Sequence, residues 1–350
     1  MSLSSLKQHL RLLGLRRRNI QESDMNDICS AIAQELQSCG CDLGYRGLWY
    51  KLRHTHNLQV KRETVYFLLS VADPAGMARR RANRLLRREY DGHGPNFIWH
   101  IDGYDKLKPY GFCIHGAIDG FSRYIKWLRT STTNNNPRVT GRYYLEAVAE
   151  TQGVPTLVRF DYGTENVIIE TLQSSLREEH EDNLSGDNSF LYGESTHNQR
   201  IESYWGQMRK HSMNFYIEFF KSMKDQRLFN GSQEEIKCLQ FCFGPLIQYD
   251  LDQTRILWNK HYIRKQRHKV HHGKPYSMYH LPEMYGVEDH IKPVNLRAVD
   301  DLMEEFTDEP QIYDPTFAQL ALEAIPDLVT PTTADDALDL YCRLKEAMGI

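Results

Sequence analysis

The chain has 350 residues, enough for a sizeable core and more than one domain, and no apolar run long enough to span a membrane, so a soluble protein is expected. Seven cysteines, an odd number, are scattered along it with no signal-peptide pattern at the start, which suits free thiols rather than a disulfide framework. The net charge of −3 conceals a gradient: +7 over residues 1–96, about +2 over 97–280 and −12 over 281–350, the footprint of a protein whose front and middle meet phosphates.

Leu6, Leu10 and Leu13 recur at helical spacing before a basic run, Arg16 to Arg18. A helix is predicted from an N-cap at Ser23 through Ile28, Ile32 and Leu36 to Gly40. Over residues 44–69, Leu48 and Leu52 lie one turn apart, as do Val65 and Leu69, with Asn57 to Val60 as a bend. Two short helices joined in this way have the helix-turn-helix layout, whose second helix can enter a major groove; Lys61 and Arg62 at its start are candidate DNA contacts. A helical hairpin that only packs on a core would show the same pattern. Residues 77–90 then carry Arg79, Arg80, Arg81, Arg84, Arg87 and Arg88. So dense a guanidinium cluster suits a phosphate backbone, and equally a solvated linker or a nuclear localisation signal. These readings divide the chain into a helical DNA-binding region (1–74), a basic linker (75–96), a catalytic core with a helical extension (97–285) and an acidic tail (286–350).

Phe97 to Asp102, Phe112 to Ile118 and Tyr124 to Leu128 read as three strands bounded by Gly, Pro and charged turns. Helical spacing follows Pro137 (Val139, Tyr143, Tyr144, Ala147), a fourth strand follows Pro155, and a helix follows Asp161 to Gly163. Further on, Ile201, Tyr204, Trp205, Met208 and Phe215 make an apolar helical stripe. On such a helix residues 202, 205, 206 and 209 share a face, so Glu202 and Arg209 point the same way, and Gly206 between them leaves room for a substrate strand.

Asp102 and Asp161 each close an apolar run, and Glu202 sits in the helix. Three carboxylates can hold two hard cations through oxygen while leaving positions open for phosphate oxygens. Magnesium or manganese fits such a set, whereas zinc prefers His and Cys. Taken singly, an Asp after a strand caps a turn and a Glu on a helix is solvated. Their order, spacing and flanking residues together favour the metal reading. Asp105, Asp119 and Glu165, also nearby, are assigned to turns and hairpin structure.

The flanking segments resemble the catalytic core of retroviral-integrase-like DDE enzymes, above all the transposases of bacterial insertion sequences and their eukaryotic relatives. YGFCIHGAIDGFSRYIKWL (Tyr110 to Leu128) is similar to that family's strand-turn-strand ending in Asp-x-Phe-Ser-Arg, DYGTEN to its Asp-x-Gly turn, and NQRIESYWGQMRK to its Asn-x-x-x-Glu helix. Intervals of 58 residues between the two Asp and 40 between Asp161 and Glu202 are close to the family layout. The resemblance implies an α/β, ribonuclease H-like core, a mixed sheet flanked by helices, in which Asp102 and Asp161 end neighbouring strands. It implies two divalent ions on Asp102, Asp161 and Glu202, and DNA contacts by Arg209 and Lys210. Where the family often has a second basic residue one turn after the acid, this chain has Gly206. The helices of residues 44–69 resemble the helix-turn-helix that precedes the core in insertion-sequence transposases. The first eighteen residues look like the second half of another, so the true start is expected to lie upstream.

Downstream, Ser232 with Glu235 forms a capping-box pattern opening a helix through Ile236, Leu239 and Phe243. Trp258-Asn259, several basic residues (Lys260, Arg264, Lys265, Arg267, Lys269, Lys274) and a Gly-x-Pro resemble the family's stretch after the last core helix. Cys238 and Cys242 lie on an apolar helix and are assigned to packing. Cys29, Cys39 and Cys41 precede His54 and His56, the reverse of the integrase zinc-domain order, so no structural zinc is predicted. The tail alternates acidic and apolar residues; small helices are expected, the last capped near Thr333 with Leu338 and Leu340 partly buried, either packing on the core or meeting a partner.

The resemblance thus implies a metal-dependent transposase or integrase that binds element ends and target DNA, acts as a homo-oligomer in the nucleus (or cytoplasm and nucleoid of a bacterium), and needs neither membrane nor small-molecule cofactor beyond the metal. A domesticated, non-catalytic DNA-binding protein and a nuclease acting on RNA hybrids are the alternatives.

Overall fold

The computed structural model describes residues 21–82, 93–193, 198–265 and 271–350 and four positions among the first twenty, with the side chains of residues 79–82 and 164 left out of account. The chain divides into two compact units, residues 1–86 and 87–350. Among the described residues no helix is long and apolar enough to cross a membrane.

In the first unit α1 (Met25–Leu36), α2 (Tyr45–His54), α3 (Arg62–Ala72) and α4 (Pro74–Ala82) follow one another. Ile28, Ile32, Leu48, Leu52, Val65 and Leu69 form its core, so the helical spacing read from the sequence marks the buried face. Asn57 turns the chain between α2 and α3 with φ 53°. The first helix is capped one residue later than expected. Asp24 accepts from Asn26 N at 2.8 Å, because the Ser23 hydroxyl instead accepts from Gln59 N at 2.9 Å and ties the helix entry to the bend. The helix also stops at Leu36, short of Gly40. Of the Leu6–Arg18 stretch only Gln8, His9 and Leu12 are among the described residues.

In the second unit a five-stranded mixed sheet holds β1 (Ile98–Tyr104), β2 (Cys113–Asp119), β3 (Ile125–Ser131), β5 (Leu157–Phe160) and β6 (Phe190–Tyr192) in the order β3-β2-β1-β5-β6; β4 (Gly153–Val154) pairs separately with β7 (Lys292–Pro293). β1, β2 and β3 are antiparallel neighbours, while β5 runs parallel to β1, and β6 parallel to β5. Helices α5 (Pro137–Thr151) and α6 (Val167–Arg177) come between strands, giving the ribonuclease H-like order expected.

Alternation along β1 and β5 sends side chains to opposite faces of the sheet. Trp99, Ile101, Val158 and Phe160 face a core built with Val139, Tyr144 and Val148 of α5 and Ile169 and Leu172 of α6, each burial of this kind contributing roughly 1.5–3 kcal/mol. His100, Asp102 and Tyr104 face the other way, toward α7 (Gln199–Met208).

After α7 the helix widens into a π-helical turn, Arg209–Met213, before α8 (Asn214–Asp225). The Ser232 cap is present, its hydroxyl accepting from Glu235 N at 3.3 Å, but the helix it opens, α9 (Gln233–Lys260), runs 28 residues through Pro245, well past Phe243. Side chains of α9 meet the β3 backbone along its length. Gln248 bonds Thr130 N and Leu128 O, Arg255 reaches Lys126 O, and Asn259 takes both N and O of Ile125. Cys238 and Cys242 are buried in it.

After α10 (Pro275–His280), the acidic tail packs on this unit rather than standing apart. α11 (Leu296–Phe306) adds Val299 to the core beside α5, α12 (Pro315–Ala324) buries Phe317, and α13 (Ala334–Met348) lies along α9. A capping box at Thr333 starts α13, and Lys345 pairs with Glu235.

Candidate active site

Asp102 is not at the end of its strand: β1 continues through Gly103, paired with His115, and Tyr104, paired with Ile114. Asp161 does follow immediately on β5. The parallel register pairs His100 with Arg159, and counting on two residues along both chains reaches Asp102 and Asp161. The two strands being neighbours, as the resemblance implied, the fold sets two acids level at one end of the sheet.

α7 is fastened across them. Asn198, at its N-cap, gives its side chain to β1 instead of to its own helix: the amide nitrogen donates to Ile101 O at 2.9 Å and the amide oxygen lies 2.7 Å from His100 Nδ1. Two turns on, Trp205 Nε1 donates to Asp102 Oδ2 at 2.8 Å. The indole fits because Gly116, the partner of Asp102 in the β1–β2 register, has no side chain; a Cβ there would come within 2.8 Å of the ring. Glu202, one turn before Trp205, is exposed on the same helix.

Burial dominates the electrostatics. Asp102 is only 8 % exposed, and desolvation, reinforced by the charges of Asp161 and Glu202, pushes its carboxyl up to about 7 against the relief given by Trp205. Partial desolvation by its neighbours and the Asp161 charge raise the solvent-facing Glu202 as well, and burial and the Asp161 charge raise Glu165, an acid the sequence assigned to a turn. Asp161 Oδ1 is buried with no hydrogen-bond partner among the described residues. Desolvation holds the His100 ring neutral, its pKa pushed down to about 3. Hard carboxylate oxygens that repel one another, one of them unsatisfied, fit a divalent cation. The acids couple by charge yet stand apart: among the described residues no three His, Cys, Asp or Glu side chains are gathered closely enough to enclose a metal.

The remaining residues singled out in the sequence are dispersed. Arg209 and Lys210 are exposed at the start of the π-helical turn, where Arg209 Nε donates to Asn214 Oδ1 at 3.0 Å. In the first unit Lys61 pairs with Glu22 at 3.6 Å and Arg62 lies 4.3 Å over the Trp49 ring, while α3 turns Tyr66, Phe67 and Val71 outward. Arg84, Arg87 and Arg88 lie outside the described residues, as do the side chains of Arg79, Arg80 and Arg81. Asp119 accepts from Asn96 N, Ser122 N and the Ser122 hydroxyl, a hairpin role as read. Trp205 and Asn198 were visible only as part of a stripe and a motif; their contacts with β1 needed the fold.

Comparison with protein families gives a match to the integrase core domain over residues 89–284, more than half of the chain. The chain belongs to the integrase core domain family. It is thus of the retroviral-integrase-like DDE type, with a ribonuclease H-like core and an N-terminal helical region. A search of curated proteins found no match.

Proposed function

We propose that this integrase-family chain is a metal-dependent polynucleotidyl transferase that cleaves DNA and joins strands, with Asp102, Asp161 and Glu202 as the acids that hold two magnesium or manganese ions. The observation that carries this reading is that Asp102 and Asp161 lie level on neighbouring strands under the helix that bears Glu202, and that the buried Asp102 carboxyl is coupled by charge to both. When bound, divalent cations supply polarisation of a phosphate oxygen and activation of a water or DNA 3'-hydroxyl. The chain's own residues do the positioning. Trp205 fixes Oδ2 of Asp102, and Gly103 N donates to Oδ1 at 2.9 Å, so the carboxylate plane is set before a ligand arrives. Asp102 holds a proton below neutrality and gives it up as positive charge binds. On this reading Arg209 and Lys210 lie along the DNA path, α3 and the arginines of residues 79–88 contact duplex DNA, and the protein works as a homo-oligomer in the compartment that holds its DNA.

The test is a strand-transfer assay in magnesium or manganese with Asp102→Asn, Asp161→Asn and Glu202→Gln. Loss of joining in all three, with DNA binding kept, is the expected result. Full activity in any one removes that residue from the site, and a wild-type chain that binds DNA but never cuts it would make it a domesticated DNA-binding protein.

A further inference from the structure

Next to Asp161 stands a ring that neither packing nor the metal chemistry uses. Tyr162 is 77 % exposed, whereas Phe160, two residues earlier, is fully buried. Its ring lies parallel to that of Tyr192 within 6°, the centroids 5.9 Å apart. Tyr192 is itself held in place: it pairs with Phe160 in the β5–β6 register, its ring rests against Phe160 and Phe190, and its hydroxyl donates to Glu170 of α6. The outer ring is therefore backed by an inner one tied to the sheet and to α6.

We propose that Tyr162, backed by Tyr192, is a stacking ledge for an unpaired nucleobase of the DNA strand whose phosphate lies at Asp161. The inference rests on the transferase reading above and adds how the strand end is gripped. Just past the end of β5 the two neighbours part: Asp161 is coupled by charge to Asp102 and Glu202, while the Tyr162 ring lies against Tyr192 of β6. A nucleotide divides the same way, with its phosphate on one side of the sugar and its base on the other. Glu170 accepts from the Tyr192 hydroxyl and Glu165 acts on the same ring by charge, so a phosphate backbone would be repelled there while a neutral base is not. An exposed aromatic face held by a second ring accepts any base, because every base has a π-face. The ledge thus grips a frayed end without reading its sequence.

The experiment measures the affinity of the full chain, in magnesium buffer, for a short oligodeoxythymidine and for an abasic oligomer of equal length. Stacking of one base predicts a preference for the base-bearing strand on the order of tenfold. Tyr162→Ala should abolish that preference with an unchanged melting temperature, and Tyr162→Phe should keep it. A wild-type chain with no preference, or a Tyr162→Ala chain that retains it, overturns the proposal. The transferase reading is judged separately, by strand transfer in the acid variants: a chain that joins DNA yet shows no Tyr162-dependent preference sinks the ledge alone.

Discussion

The two faces of the β1–β5 pair are made by the same strands and do opposite work. Trp99, Ile101, Val158 and Phe160 turn to a dry core under α5 and α6, where every contact stabilises the fold. One residue out of phase, His100 and Asp102 turn to α7, and there burial destabilises the charged forms, holding one ring neutral and one carboxyl near neutrality. The period of two that builds a sheet therefore also keeps costly polar groups beside a rigid hydrophobic support without mixing them.

The comparison is broken most severely on the polar face. Asp102→Asn should lower strand-transfer rate by roughly a thousandfold or more, a loss read by product formation per enzyme, while circular dichroism stays native. On the dry face Leu172→Ala should cost about 2–5 kcal/mol in denaturant unfolding, with activity per folded molecule spared. A smaller effect should come from the clamp over Asp102: Trp205→Phe, which removes the indole donor, should reduce activity by about 10–100-fold with little loss of packing.

A pH series sharpens the contrast. Asp102 binds its proton at about 7 when folded and near its ordinary 3.8 when unfolded, so between these values the folded chain holds the extra proton and stability falls as pH rises. Metal-free Asp102→Asn should therefore lose this slope and melt above the wild type on the alkaline side of neutrality. Added magnesium should raise the wild-type melting temperature more at about pH 8 than at about pH 6, since it competes with that proton. The smallest change is Gly206→Ala: an added Cβ meets nothing within 4 Å, so relief of helix glycine should stabilise the fold by about 0.5–1 kcal/mol in thermal unfolding.

Much of this was legible in the sequence, for reasons that also mark where reading stopped. The apolar runs of β1, β2 and β3 and the stripe of α7 announce buried faces, and burial is what periodicity reports. Asp102 reads as a strand end because the apolar run stops there, yet the ladder continues through Gly103 and Tyr104, and backbone pairing leaves no trace in side-chain pattern. β6 is three half-buried residues, and β4 and β7 two each, too short to show a period. Pro245 argues for a break in α9, but contacts with β3 and the tail hold the helix through it. At the site, Glu202 could be placed from spacing, while Trp205 looked like one more core residue. Its donor role depends on Gly116, which lies 89 positions away and becomes its neighbour only when β2 pairs with β1.

The side chains that α9 lays along β3 have a consequence for self-assembly. An outermost strand ordinarily offers its free peptide groups to any passing chain, the route to runaway edge-to-edge growth. Here Gln248, Arg255 and Asn259 occupy those groups, and the opposite border, β6, is too short to template another strand. Any second copy of the chain would then have to dock through surfaces other than these two sheet borders.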